Sequence, residues 1–202
     1  MKKILVIGGA GFVGSHLIEE LLKIKKNKVY VIDNLFLGTK KNLLKVKNKI
    51  NFFNLDASKK DKIDFFFKNR NFDIVFNLAT KPINYSLIYP LDGFYAQVDV
   101  ISNLLELNRK KKIKKLIHFS TSEVYGTGSG TMNENFKCTP ETTYAAGKLA
   151  CDTLIKTYAS LYNLDAIIIR PSNIYGPRQF NKNKHSLSPG LIVAAINSFK
   201  YN

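Results

Sequence analysis

The sequence predicts an α/β protein built on a doubly wound parallel sheet, and three observations carry that reading. Apolar strand-like runs alternate with helical stretches along almost the whole chain. The strands are apolar nearly throughout, as strands covered by helices on both faces must be. The first strand runs straight into a glycine-rich turn, Gly8-Gly9-Ala10-Gly11-Phe12-Val13-Gly14, ahead of the first helix. Right-handed crossovers then wind the sheet so that ligands bind outside the carboxyl ends of its strands.

Each element follows in order. A strand over 3–8 leads into the turn, where glycines at 8, 11 and 14 leave no Cβ. The backbone can therefore turn sharply, approach a pyrophosphate and pack the next helix close to the sheet. That helix, over 12–25, offers unpaired N–H groups at its start to an anion. A second strand, 28–32, ends at Asp33, about twenty residues past the turn. An acid there accepts hydrogen bonds from both adenosine ribose hydroxyls and repels a 2′-phosphate, so the expected cofactor is NAD rather than NADP. A helix around 40–46, a strand over 50–54 and a helix over 60–69 come next. Strands over 73–78, 114–120 and 165–170 then alternate with helices over 92–111 and 143–161. Gly8, Asp33, Asp56, Ala79 and the run Ser120 to Glu123 all fall at strand ends.

The helix over 143–161 carries chemistry. Tyr144 and Lys148 stand one turn apart and share a face, and Pro140 to Thr143 supply its amino-terminal cap. A lysine beside a tyrosine is expected to favour the phenolate and lower its pKa, suiting a base that takes a proton from an alcohol. The strand over 114–120 ends in Ser120-Thr121-Ser122-Glu123, which supplies the hydroxyl of a Ser/Thr-Tyr-Lys triad.

Composition narrows the partners. A chain of 202 residues holds one domain, or one domain and part of a second. The formal charge of +16 is large, but its lysines cluster at 23–28, 40–49, 59–62 and 110–115, at helix ends and links. There they suit the helix dipole and solvation rather than a nucleic-acid surface interleaved with aromatics. The positive field would attract an anionic nucleotide substrate. No apolar run is long enough to cross a bilayer, and Met1-Lys2-Lys3 leads into a strand, not a signal peptide. The expectation is no membrane, no nucleic acid and no metal. Cys138 and Cys151 are too few for a disulfide framework and fit a reduced, cytoplasmic setting.

With these motifs in order, the chain resembles the extended short-chain dehydrogenase/reductase family, the NAD-dependent nucleotide-sugar epimerases, dehydratases and decarboxylases. The resemblance rests on the glycine turn, Asp33-Asn34-Leu35, Asn77-Leu78-Ala79, Ser120 through Gly126, Tyr144 through Lys148, and Arg170 through Arg178. It implies a Rossmann-type fold with Gly8, Gly11, Phe12, Val13 and Gly14 on the cofactor. Asp33 and Asn34 fall at adenosine-ribose positions, Asp56 and Ala57 at adenine positions, and Leu78, Ala79, Thr80 and Pro171 along the cofactor. Thr121 matches the group that hydrogen-bonds the sugar 4-hydroxyl, Tyr144 its base, and Lys148 the residue that binds the nicotinamide ribose. Ser86, Asn173 and Arg178 fall at substrate positions. His118 and Cys151 match no role and read as packing residues.

The shared first step of the family is oxidation at sugar carbon 4, and Ser122-Glu123 bears on the fate of the keto sugar. Family 4,6-dehydratases usually carry Asp-Glu here, and a serine cannot protonate the departing 6-hydroxyl. Thr-Ser-Glu is similar to UDP-glucuronate decarboxylases and to forms found among 4-epimerases. Those two readings rank above the dehydratase and stay unseparated. Gln97 stands where the family commonly has asparagine, and Tyr85 lies with Ser86 in a loop the family uses near substrate. Residues 1–171 read as the NAD-binding domain with the triad. Residues 172–202 read as the start of an incomplete, truncated substrate lid whose first helix spans 187–199. A chain so shortened is expected to bind NAD yet turn over poorly, and a non-catalytic NAD-binding subunit is the alternative. The family also implies a homodimer, paired through a four-helix contact that includes the Tyr144 helix.

Overall fold

In a computed structural model of the protein, residues 1–128 and 133–179 are described. The helix expected over 187–199 lies outside them. Six parallel strands form one sheet: β1 (Lys2–Ile7), β2 (Asn27–Asp33), β3 (Ile50–Asn54), β4 (Phe72–Asn77), β5 (Ile113–Phe119) and β6 (Asp165–Ile169). Their spatial order is β3-β2-β1-β4-β5-β6. The chain winds outward from β1 in one direction, then returns to wind outward in the other. This is the Rossmann-type doubly wound sheet the alternation predicts, and its switch point lies between β1 and β4.

The alternation along β1 shows why the sheet is covered on two faces. Ile4 and Val6 join one apolar cluster with Ile18, Val29, Val31 and Leu43, while Leu5 and Ile7 join another with Ile32, Phe67, Phe72 and Leu104. Helix α1 (Phe12–Lys23) covers the first face. Helices α2 (Lys60–Phe67), α4 (Pro90–Arg109) and α5 (Thr143–Tyr162) cover the second. The covering thins at the β6 edge, where Ile167 and Ile169 are exposed among the described residues.

Two elements depart from the sequence expectation. The segment expected as a helix around 40–46 is a 3₁₀ segment, Lys40–Lys49, started by Thr39, whose hydroxyl accepts from the Lys41 N–H. Its first turn is tied to the glycine turn, because Asn42 donates to the Ala10 carbonyl at 2.9 Å. Such anchoring fixes a tighter winding than propensity alone would choose. The loop after β4 holds a short helix, α3 (Ile83–Ile88), packed against α4. Pro82 opens it and Pro90 begins the next helix, so only six residues carry any periodicity to read.

Phe66 and Phe67 of α2 stack edge and face with Phe53 of β3 and Phe72 of β4. Phe67 is fully enclosed, and truncation of such a ring leaves a cavity that its neighbours fill only in part. Phe67→Ala is therefore expected to cost about 3–5 kcal/mol, read as a lowered urea midpoint.

Candidate active site

The end of β1 is tied on both sides. Gly8 donates to the Ile32 carbonyl of β2 at 2.8 Å, and Leu78, just past β4, donates to the Ile7 carbonyl at 2.9 Å. Gly8 then adopts φ +77°, and a Cβ there would lie 2.8 Å from the Ala79 backbone nitrogen. At Gly14 a Cβ would meet the Gly8 carbonyl oxygen at 2.4 Å. Only glycine lets α1 start this close to the strand. A groove of about 770 Å³ opens at this point across the carboxyl ends of the strands.

The groove collects most of the residues expected on a cofactor. Gly8, Gly11, Phe12, Val13 and Gly14 line it with Asp33, Asn34, Asp56, Ala57, Leu78, Ala79, Thr80 and Tyr144. Asp33 is buried, and its two oxygens take the N–H groups of Ala10 and Leu35 at 2.8 Å each. Burial raises its carboxyl above the ordinary range, with the two N–H bonds pulling the other way. Each oxygen keeps a lone pair for a further donor. For Asp56 burial also works upward, but the Ser58 hydroxyl and N–H, with Asn34 at 3.2 Å, outweigh it and hold the carboxyl below its usual value.

Thr121 caps the 3₁₀ turn Ser122–Tyr125, its hydroxyl accepting from the Glu123 N–H at 3.2 Å. The same hydroxyl and that of Thr80 face the Tyr144 phenol and act to lower its pKa. Three hydroxyls from three elements thus meet where Thr80 and Tyr144 line the groove, while Thr121, Ser122 and Glu123 lie outside its lining. Glu123 is exposed and its charge acts on Tyr144, while Ser122 is half-buried and its N–H donates to the Pro171 carbonyl at 2.9 Å. The expected depression of the Tyr144 pKa is corrected by the structure. Burial raises the phenol first, Thr80 and Thr121 lower it in part, and the Glu123 charge raises it again. The Lys148 ammonium donates to the Phe119 carbonyl at 2.8 Å and stands over the Tyr144 ring, 6.0 Å from its centre.

Other residues fall outside the groove lining. Lys148 is enclosed beneath it, and Pro171 sits beside Ser122. Ser86 is buried in the packing of α3 on α4, where a Cβ at Gly93 would lie 2.2 Å from its hydroxyl, so it presents no surface to a ligand. Asn173 is exposed away from the groove. Arg178 does line it, with φ +71° and an ion pair to Glu19 of α1 at 2.5 Å. His118 is buried and neutral, pushed well below its ordinary pKa by burial and then by the Lys148 charge, and its Nδ1 meets the Asn77 amide at 3.2 Å. Cys151 lies in the core under β5, and burial pushes its thiol up to about 12. Gln97 packs its amide against Gly147, between Tyr144 and Lys148, and donates to the Gly93 carbonyl at 3.1 Å.

The comparisons with known proteins match this geometry. The model of the NAD dependent epimerase/dehydratase family matches residues 4–200. The chain belongs to that family. It is 35% identical over 184 residues to a Bacillus subtilis protein named uncharacterized UDP-glucose epimerase YtcB, covering 88% of this chain and 58% of the relative. Human dTDP-D-glucose 4,6-dehydratase is 31% identical over 190 residues, covering 89% of this chain and 53% of that one. Among solved structures, UDP-glucuronic acid 4-epimerase from Bacillus cereus, in complex with UDP-glucuronic acid and NAD, superposes with a TM-score of 0.79 at 32% identity. That match covers 89% of this chain and 59% of the other. The chain thus spans between half and three-fifths of the length of these relatives.

The family's cofactor is NAD, and the residues present fit it. The glycine cradle leaves the space a Cβ would fill, the start of α1 offers N–H groups to a diphosphate, and Asp33 at the end of β2 keeps a lone pair on each oxygen for donors such as ribose hydroxyls. Sequence reading missed the far wall of the groove: Phe36, Gly38, Thr39, Lys41 and Asn42 after β2, and Lys81, Asp92 and Tyr95 beyond β4. The one available signal was Gly38, where a Cβ would meet both Asp33 carboxylate oxygens at 2.9 Å.

The buried Lys148 gives a pH prediction. Burial lowers its ammonium from 10.5 to about 8, while the charges of Cys151 and Asp152 oppose that shift. Between these values the unfolded chain holds the proton more tightly than the folded one, so folding gains stability as pH rises across the window. Below about 8 the cost of the buried charge is present in full. Lys148→Met removes the titration while Cys151 remains in both proteins. Its stability advantage over the wild type, measured by urea unfolding of the protein without nucleotide, is expected to shrink as pH rises from 8 to 10.5.

Proposed function

We propose that the protein is a nucleotide-sugar 4-epimerase that works through a transient 4-keto sugar. The observation that carries this is the meeting of Tyr144, Thr121 and Thr80 at the groove end, with a serine beside them at position 122. Bound NAD supplies the hydride acceptor and donor at sugar carbon 4. Thr121 holds the 4-hydroxyl by a hydrogen bond, and Tyr144 takes its proton as hydride leaves carbon 4, then gives the proton back to oxygen 4 when hydride returns to the other face of the turned keto sugar. Epimerisation needs no further acid, since rotation of the keto sugar alone exchanges its faces. Loss of the 6-hydroxyl would need one, and Ser122 offers only a hydroxyl at that place.

The substrate class follows from chemistry the relatives share. UDP-sugars and dTDP-sugars both present a diphosphate, which the net charge of +16 attracts. Exposed Leu91 on α4 and Leu161 and Tyr162 on α5 support pairing of two copies through these helices.

Incubation with UDP-glucose, UDP-glucuronate and dTDP-glucose, followed by mass analysis and sugar stereochemistry, tests the reading. The expected product has unchanged mass and inverted carbon 4. Loss of water would instead mark a dehydratase and loss of carbon dioxide a decarboxylase. No product from a protein that binds NAD would favour a non-catalytic subunit. Tyr144→Phe is expected to lower turnover about a hundred- to ten-thousand-fold while leaving NAD binding in place, as read by the nucleotide released on denaturation.

A further inference from the structure

Four side chains from three separate places meet over the middle of the groove. Lys81, in the loop after β4, forms an ion pair with Asp92 in the first turn of α4 and donates to the Tyr85 hydroxyl at 3.5 Å. Tyr85 of α3 in turn donates to the same Asp92 oxygen at 2.5 Å. The Lys81 ammonium lies 4.7 Å from the Tyr85 ring centre and 5.1 Å from that of Phe36. Phe36 stands on the loop after β2, edge-on to Tyr85 at 5.1 Å. The ammonium is thus held between two rings and a carboxylate, and three of the four side chains line the groove.

The strand order gives this cluster its meaning. β1 lies between β2 and β4, so any bridge from the β2 loop to the β4 loop spans the end of β1. A dinucleotide with its adenosine at Asp33 and its nicotinamide near Tyr144 has to cross that same end, over the glycine turn. We propose that Phe36, Lys81, Tyr85 and Asp92 form a clasp that closes over the dinucleotide and sets how fast NAD enters and leaves. The clasp rests on the family's NAD groove alone and is independent of the sugar reaction.

Every contact on the Phe36 side is weak and reversible, an aromatic edge and a cation over a ring. Phe36 is itself exposed, so its contact with Lys81 and Tyr85 can part without opening the core. The Lys81–Asp92 pair is anchored on the other side, where burial works against the ammonium but the Asp92 bond outweighs it and keeps it charged.

The test follows NADH fluorescence in stopped flow, with capture on mixing and release on displacement by excess NAD. Phe36→Ala is the primary variant because an exposed ring can be truncated without a cavity. Both capture and release are expected to rise about five- to tenfold, with an unchanged urea midpoint. Asp92→Asn, which loosens Lys81, should raise both rates, and the double variant should add little because both changes open one clasp. Rates within about twofold of the wild type for Phe36→Ala would overturn the proposal. So would faster release with unchanged capture, which would make Phe36 an ordinary contact with the nucleotide.

Discussion

The close approach of α1 to the end of β1 is the constraint on which the rest of this structure depends. At Gly14 the helix backbone passes so near the Gly8 carbonyl that any side chain would force the two apart. That approach aims the unpaired N–H groups of the first turn at the space above the strand and brings Ala10 within reach of Asp33. The carboxylate then ties the turn to the end of β2, and Asn42 ties it to the segment beyond. Charge, cradle and ribose position are consequences of one backbone contact.

The corner that holds Tyr144 is fixed by a different device. Arg170, just past β6, donates to Asp152 of α5 at 2.9 Å and to the Tyr125 hydroxyl at 2.9 Å, with its guanidinium 5.0 Å from the Tyr125 ring centre. Asp152 lies on the helix that carries Tyr144, and Tyr125 ends the turn that Thr121 begins. A buried pair of this kind contributes little net stability, yet losing one partner would leave a charge uncompensated in the core. Its geometric effect is to hold two chemically important elements in one register. Gly147 serves the same end from the other side, letting Gln97 and Phe94 of α4 come within 3.3 Å of where its Cβ would be.

Much of the site was legible because its signals are local. Gly8, Gly11, Gly14 and Asp33 are spaced by the geometry of one strand-turn-helix-strand unit, and the groove gathers them as expected. Tyr144 could be named from one helical turn and Thr121 from the polar end of a strand. The pairing of Tyr144 with Lys148 misled for an instructive reason. Sharing a helix face says that two side chains are neighbours, but not which of them the core encloses. Here Lys148 points down to the Phe119 carbonyl and Tyr144 points out to Thr80 and Thr121, so burial rather than the neighbouring ammonium sets the direction of the phenol's shift. Ser86 shows the same limit, since a polar residue near a presumed substrate loop was drawn into the α3–α4 packing by the absence of a side chain at Gly93.

By itself the sequence determined the order of the six strands, the cradle and the dinucleotide type, because each depends on periodicity or on residues close together in the chain. The tertiary structure decided which hydroxyls converge on Tyr144, where the Lys148 ammonium finds its partner, and that Phe36 meets Lys81 across the end of β1. These are contacts between residues far apart in the chain, set by how the loops fold over the strand ends. No local pattern encodes them, since the same short motifs would tolerate many loop paths until packing selects one.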